Sequence, residues 1–364
     1  MRNRKKLVYF ALAISFLLYM NFSFFRTIYD DIERWNETAT TSSSDLNALL
    51  ESPFGQPGLA PTESADFFFG GFDNETGRTF DGRLIVPNII HYIRFNVTKF
   101  SFVDYVCLRS AYLAQKPDRI YLHTNVKEIH FSGIYWQWIR KSERDLYSRI
   151  VVQPMELPKE IYGQPLSEDW GLFHGSDVAR IQIMMKYGGI YLDNDVYVVH
   201  NLNAYRKYEI AMGWDEGEFI GSQVIIAHRK ARFLPLWLDC YRKYNPNSWY
   251  YNAGERPTVE ILYKQPELMH RVKLRLGVAQ LMDELYESKE WPNWDQNYDT
   301  MHLLTGHRYY LDSHFKEYPD FNERNIQHYP YMFGKLARLV VPPNRLPRPP
   351  TDFGKKIKLE KLKE

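Results

Sequence analysis

The spacing of apolar and polar positions divides this chain into parts. Residues 7–25 form an uncharged, mostly apolar run, preceded by Arg2, Arg4, Lys5 and Lys6 and closed by Arg26. As a helix at ~1.5 Å per residue it would span about 28 Å, the thickness of a bilayer's hydrocarbon core. The positive charges before it, with Asp30, Asp31 and Glu33 after it, orient residues 1–6 to the cytosol and the remainder across the membrane. A cleaved signal peptide is the alternative. Such peptides carry a shorter apolar region ending on small side chains, whereas this run ends in Asn21-Phe22-Ser23-Phe24-Phe25, so an uncleaved type II anchor is preferred.

Residues 26–83 show no sustained apolar period. They are rich in Ser, Thr, Asp, Glu, Gly and Pro, interrupted by Phe67-Phe68-Phe69, and read as a stem. Residues 84–340 then alternate short β-rich runs with helical patterns. The expected strands fall near residues 84–93, 119–123, 148–152, 190–192 and 221–227. Helical spacing is read over 102–114, 177–187, 234–244 and 258–262, with Gly188-Gly189 stopping the second of these and a turn at 254–258. This alternation predicts a single α/β domain with a mainly parallel central sheet, followed by a Pro- and Lys-rich tail over residues 341–364.

Composition narrows the chemistry. The 46 Lys plus Arg nearly cancel the 44 Asp plus Glu, giving a net charge of +2, which argues against nucleic-acid binding. Cys107 and Cys240 stand far apart and exclude a cysteine zinc cluster, so any metal is held by oxygen and nitrogen. Sequence spacing leaves open whether the two form a disulfide. Asn36, Asn74 and Asn96 each begin an Asn-x-Ser/Thr acceptor for N-glycosylation, all on the side that the anchor would place in the secretory lumen.

The strongest chemical signal is Asp193-Asn194-Asp195, two acids one residue apart at a strand end between Tyr191-Leu192 and Val196-Tyr197-Val198. Asp-x-Asp alone is commonly a solvated turn. Between apolar runs, two anions are costly unless a cation neutralises them. Mn²⁺ or Mg²⁺ prefer oxygen ligands and bind through one or two carboxylates plus substrate phosphates, as a sugar nucleotide would supply.

Ser176-Asp177-Val178-Ala179-Arg180 followed by Tyr187-Gly188-Gly189-Ile190-Tyr191-Leu192-Asp193-Asn194-Asp195 closely resembles the DXD sugar-binding region of glycosyltransferase family 32. Asn88-Ile89-Ile90-His91-Tyr92-Ile93 resembles that family's first nucleotide-side strand, although Arg94 stands where many relatives carry Trp. The resemblance implies a GT-A fold, a nucleotide-sugar donor and retention of anomeric configuration; taken with the anchor, stem and sequons, it leads to the expectation of a single-pass Golgi membrane protein acting on a glycan or glycolipid acceptor. It implies that Asp193 and Asp195 organise metal and diphosphate, with His91, Tyr92, Asp177, Arg180, Gly188, Gly189 and Asn194 on the donor. Asp177 and Arg180, three residues apart, share one helix face, where the plain alternative is an intrahelical ion pair. His302 is the preferred further metal ligand and His307 the second choice. Trp136, Trp138, Trp214, Trp249 and Tyr250 are candidate sugar-stacking residues whose ordinary role is packing, and Asp215 and Glu216 fall in the acceptor-side interval. Metal-dependent transfer is the leading reading. A catalytically inactive glycan- or partner-binding module and a sugar-nucleotide hydrolase are the alternatives.

Overall fold

Most of the expected β-rich runs become strands, with ends set by proline and glycine. The computed structural model describes residues 72–346, apart from 74, 80, 279 and 280. The segments read as cytosolic tip and anchor, most of that read as stem, Asn36, Asn74 and the residues beyond 346 lie outside the described residues. Among the described residues no helix is long and apolar enough to cross a membrane.

Strand β1 (Ile89–Ile93) starts later than expected because Pro87 has no N–H to give a ladder; Ile85 and Val86 are buried on the approach to it. The other strands of three or more residues are β2 (Arg119–Thr124), β3 (Ile150–Pro154), β4 (Gly189–Leu192), β5 (Val196–Val198), β6 (Ile210–Gly213), β7 (Gly221–Ala227), β8 (His270–Val272) and β9 (Thr300–His302). Seven form one sheet in the order β8-β6-β7-β4-β1-β2-β3. The pairs β1·β2, β1·β4, β2·β3 and β6·β8 are parallel, and only the two pairs flanking β7 are antiparallel. The α/β class with a mainly parallel sheet is therefore as expected.

The central strands are buried on both faces, and their side chains alternate between two cores. Ile90, Ile120, Leu122, Ile190, Val224 and Ile226 join one, beneath helix α1 (Phe102–Gln115) and the helices α2 (Ile134–Ser142) and α3 (Arg144–Arg149). Tyr191, Ile225, Ala227 and Met212 point the other way, toward α4 (Gly171–Tyr187) and α5 (Phe233–Asp239). Helix α1 opens with a capping box, in which Ser101 Oγ accepts from the Asp104 N–H at 3.1 Å and Asp104 accepts from the Ser101 N–H at 2.6 Å. It ends at Gln115, one residue past the expected span, with Lys116 as its cap before Pro117.

Helix α4 is longer than its apolar period indicated, beginning at Gly171 rather than near Asp177. Two glycines concealed that first stretch. Gly175 is required there because a Cβ would lie 2.7 Å from Leu157 and 2.8 Å from the Pro158 carbonyl. The helix stops at Gly188 and Gly189, both at positive φ (63° and 106°). The expected turn at 254–258 is instead helical: wide turns at Tyr251–Glu255 and Thr258–Leu262 run through Pro257, and the Thr258 hydroxyl donates to the Gly254 carbonyl at 2.6 Å. Looser turns of this kind accommodate a proline that lacks an N–H. The helix read over 234–244 is α5 followed by a tighter turn at Cys240–Lys243. Cys107 and Cys240 remain free thiols, Cys107 inside the first core and Cys240 packed against the second.

A separate two-stranded ladder pairs β5 with β9, setting His302 opposite Val196 and Thr300 opposite Val198. It follows the Asp193-Asn194-Asp195 turn directly, and so carries a distant part of the chain to that turn.

Candidate active site

A cleft of about 860 Å³ opens at the C-terminal ends of β1 and β4 and the start of β7, the edge of a parallel sheet where ligands ordinarily bind. Its floor is the turn that leaves β4. Each residue of that turn is fastened to a different element. The Asp193 N–H donates to the Gln223 carbonyl of β7 at 2.9 Å, and Asp193 Oδ1 accepts from the Tyr191 hydroxyl at 2.7 Å. Asn194 Nδ2 donates to the Ile93 carbonyl at 2.6 Å, closing the turn onto the end of β1. Asp195 Oδ2 accepts from the N–H and hydroxyl of Thr305, at 2.9 and 3.1 Å, and its Oδ1 stands 3.2 Å from His302 Nε2.

Helix α4 supplies the next wall. Arg180 Nη2 lies 3.2 Å from Asp177 Oδ1 and 3.4 Å from Asp193 Oδ1, while Nη1 donates to the carbonyl and hydroxyl of Ser222 at 3.0 and 2.8 Å. The guanidinium also sits over the Tyr191 ring at 4.9 Å. Asp177 and Arg180 are thus more than an intrahelical pair: the same cation reaches the acid turn and β7. Burial pushes the Asp177 carboxyl up to about 7; Arg180 opposes that shift and Asp193 adds to it. Burial works against the charge on Arg180, but Asp193, Tyr191 and Asp177 more than compensate and raise its pKa. Asp195 goes the other way. Burial would raise it, yet His302 and the Thr305 bonds prevail and hold it at about 2. His302 is disfavoured as a cation by burial and favoured by Asp195, with the balance raising it.

Of the residues singled out in the sequence, Asp177, Arg180, Asp193, Asn194, Asp195, His302 and His307 line this one cleft. His91, Gly188 and Gly189 do not. His91 is fully buried, its Nε2 2.8 Å from the Gly188 carbonyl and its Nδ1 3.0 Å from His123 Nε2, and burial lowers its pKa to about 4. A neutral imidazole there ties β1 and β2 to the end of α4, and the two glycines shape that junction. Tyr92 is also buried and does not line the cleft. Arg94, which lines the cleft, is buried against Asp104 at 2.7 Å and donates to Asn194 at 3.3 Å. Asn96 is exposed beside the cleft residue Val97, its side-chain oxygen accepting from Asn125 at 2.8 Å.

Trp136, Trp138 and Trp214 are core residues, whereas Trp249 (44% exposed) and Tyr250 line the cleft. Asp215 is buried, accepting from the Leu274 N–H at 2.6 Å, and the exposed Glu216 pairs with Lys273 at 3.4 Å; neither lines the cleft. Glu218 does, with Phe219, Leu172 and Phe173, and these four escaped the sequence reading. No pattern marks them, since loops and a concealed helical turn bring them in. Gln223 also lines the cleft, with its amide nitrogen buried and unpartnered.

Residues 114–211, from the end of α1 to β6, match the family described as the glycosyltransferase sugar-binding region containing a DXD motif, and the resemblance to glycosyltransferase family 32 holds. The chain carries that region, with Asp193-Asn194-Asp195 as its DXD sequence. It is similar to glucan organizing enzyme 1 of Cryptococcus neoformans, 25% identical over 193 residues, covering 48% of this chain and 49% of that protein. It is also similar to lactosylceramide 4-alpha-galactosyltransferase of Rattus norvegicus, 25% identical over 168 residues, covering 42% and 45%. The chain thus spans about half the length of these relatives. A galactosyltransferase solved with donor and acceptor sugar analogues superposes with a TM-score of 0.35 at 13% identity, over 70% of this chain and 98% of that one.

Proposed function

We propose that this protein is a metal-dependent, retaining glycosyltransferase of GT-A type, moving a sugar from a nucleotide donor, UDP-linked as first choice, to a hydroxyl of a glycan or glycolipid. The observation that carries the reading is the convergence in one cleft of Asp195 with His302 and of Asp193 with the buried Arg180–Asp177 pair. In this reading Asp193, Asp195 and His302 hold Mn²⁺ or Mg²⁺. Two carboxylates and an imidazole are suitable donor types, and Asp195 Oδ1 lies 3.2 Å from His302 Nε2; the ligand atoms of all three do not lie within 4.8 Å of one another, so Asp193, turned to Tyr191 and Arg180, would have to move toward the other two or act through a bridging water. When bound, that ion offsets the charge on the donor's diphosphate.

The chain's own groups do the rest. Arg180, held charged, faces the sugar-phosphate junction; Asp177 and Asn194 orient donor hydroxyls; and the leaving phosphate takes the proton of the attacking acceptor hydroxyl. The exposed faces of Trp249 and Phe173 offer apolar surface to a sugar ring. The proposal extends to the compartment: residues 7–25 as a single-pass anchor, the domain in the Golgi lumen, and glycans on Asn36, Asn74 and Asn96. A mass shift of the secreted-pathway protein on glycosidase treatment tests the last point.

The test of activity is a screen of the purified full chain against several nucleotide sugars, with MnCl₂ or MgCl₂ and a panel of glycan and glycolipid acceptors. Acceptor-dependent product that vanishes in Asp193→Ala and Asp195→Ala supports transfer. Full activity in either variant sinks the metal role. Donor loss without acceptor marks a hydrolase, and glycan binding without either reaction marks an inactive module.

A further inference from the structure

We propose that Glu287, Asp312 and His314 form a structural zinc site, independent of the cleft and of the activity proposed for it. Among the described residues they are the one group of three His, Cys, Asp or Glu side chains whose ligand atoms all lie within 4.8 Å of one another, and none lines the cleft.

Each of the three anchors one polar atom on a neighbour and turns the other to a common point. Glu287 Oε1 accepts from the Ser313 N–H and hydroxyl at 3.1 and 2.6 Å, while Oε2 stands 3.5 Å from His314 Nδ1. Asp312 Oδ2 accepts from Arg308 Nε and Nη2 at 2.9 and 2.6 Å, while Oδ1 stands 3.9 Å from the same Nδ1. His314 Nε2 meets the Tyr331 hydroxyl at 2.6 Å. With Nε2–H donating to Tyr331, the Nδ1 lone pair faces the carboxylates, which is the tautomer that a metal needs. The inward atoms also have hydrogen-bonding neighbours, which a metal would share or displace: the His314 N–H donates to Asp312 Oδ1 at 2.9 Å, and the Ser313 hydroxyl stands 3.1 Å from Nδ1.

Charge and spacing both favour a divalent ion. Two carboxylates against the single Arg308 guanidinium leave one negative charge around a neutral imidazole, in a place where the Asp312 side chain is fully buried. Ligands bonded at ~2.1 Å in tetrahedral array lie about 3.4 Å apart, so 3.5 and 3.9 Å need only a small contraction. One nitrogen and two oxygens suit zinc better than magnesium or calcium. The Glu287 and His314 side chains are 35% and 24% exposed, leaving an open side for a water as fourth ligand. The ion would join the helical turn Asp283–Glu287 to the turn after α6 (Arg308–Leu311) and, through Tyr331, to the start of α7 (Met332–Val340).

The full chain in detergent, stripped with EDTA, dialysed against ZnCl₂ and passed through gel filtration, gives the zinc content by elemental analysis, with thermal melts in parallel. The wild type is expected to hold one more equivalent than Glu287→Gln or His314→Ala, and zinc is expected to raise its melting temperature but not theirs. Asp193→Ala should keep this equivalent. Tyr331→Phe, which leaves every ligand in place, should weaken zinc binding about 10- to 100-fold, and it decides the matter if the ligand variants fail to fold by circular dichroism. Equal zinc in wild type and ligand variants overturns the site, as does zinc binding unchanged in Tyr331→Phe. A wild type that gains no zinc, with metal-free melts lowered in Glu287→Gln, would show a plain His–Glu ion pair instead.

Discussion

His302 Nε2 stands 3.2 Å from Asp195 Oδ1, although 107 positions separate the two in the sequence; the β5·β9 ladder brings them together. The pair has a pH signature. Asp195, held at about 2, stabilises the fold above its unfolded value of 3.8 and loses that contribution as pH falls toward 2, an effect of about 2 kcal/mol. His302, raised, contributes fully below its unfolded value of 6.5 and loses the contribution as pH rises through its higher folded value. His302→Ala should therefore lower the metal-free melting temperature more at about pH 5.5 than at about pH 9. A penalty independent of pH in calorimetric scans would contradict the pairing.

Asp177 carries the sign opposite to Asp195 and the same as His302. Its carboxyl, pushed up to about 7, keeps a proton that the unfolded chain has released above 3.8, so its contribution to stability erodes as pH rises from about 4 to about 7. In metal-free, donor-free protein, Asp177→Asn should raise the melting temperature by about 2–4 °C at about pH 8 and hardly change it at about pH 4. The same variant should reduce transfer by about 100-fold or more, since the fold gains from losing a charge that the proposed chemistry uses.

Arg94 holds the acid turn from beneath, through Asp104 and Asn194, and sits 3.9 Å over the Phe100 ring. Arg94→Met strands a partly buried carboxylate and should cost about 3 kcal/mol in urea melts. Replacing Asp104 by Asn in the same chain should recover part of that loss, and additive effects of the two changes would argue against the pair.

Gly189 has φ 106° and no space for a side chain, since a Cβ would lie 2.8 Å from the Ile89 carbonyl and 2.6 Å from its Cγ1. Gly189→Ala should destabilise the fold by about 3 kcal/mol or more, read as a shift of the denaturation midpoint. A neutral substitution would show that the β1·β4 contact can open without loss.

Local pattern was legible where a single periodicity governs. The helical span of α1, the strands β2, β4 and β7 and the shared face of Asp177 and Arg180 all follow from residues near one another in the chain. The same reading failed where glycine or proline interrupts the period, at the first turns of α4 and across Pro257. His91 illustrates a different limit. Its strand was recognised, but the alternation of side chains across a sheet covered on both faces sends it to the α4 junction and not to the cleft.

By itself the sequence determined the α/β alternation, the acid turn at a strand end and the Asp-Arg face that accompanies it, because each is fixed by backbone periodicity over a few residues. Only the tertiary structure decided that His302 meets Asp195, that Glu218 and Trp249 reach the cleft while Asp215 and Trp214 do not, and that Glu287, Asp312 and His314 converge. Those relationships depend on pairings between distant segments, whose register is set by the burial of whole faces rather than by any local pattern.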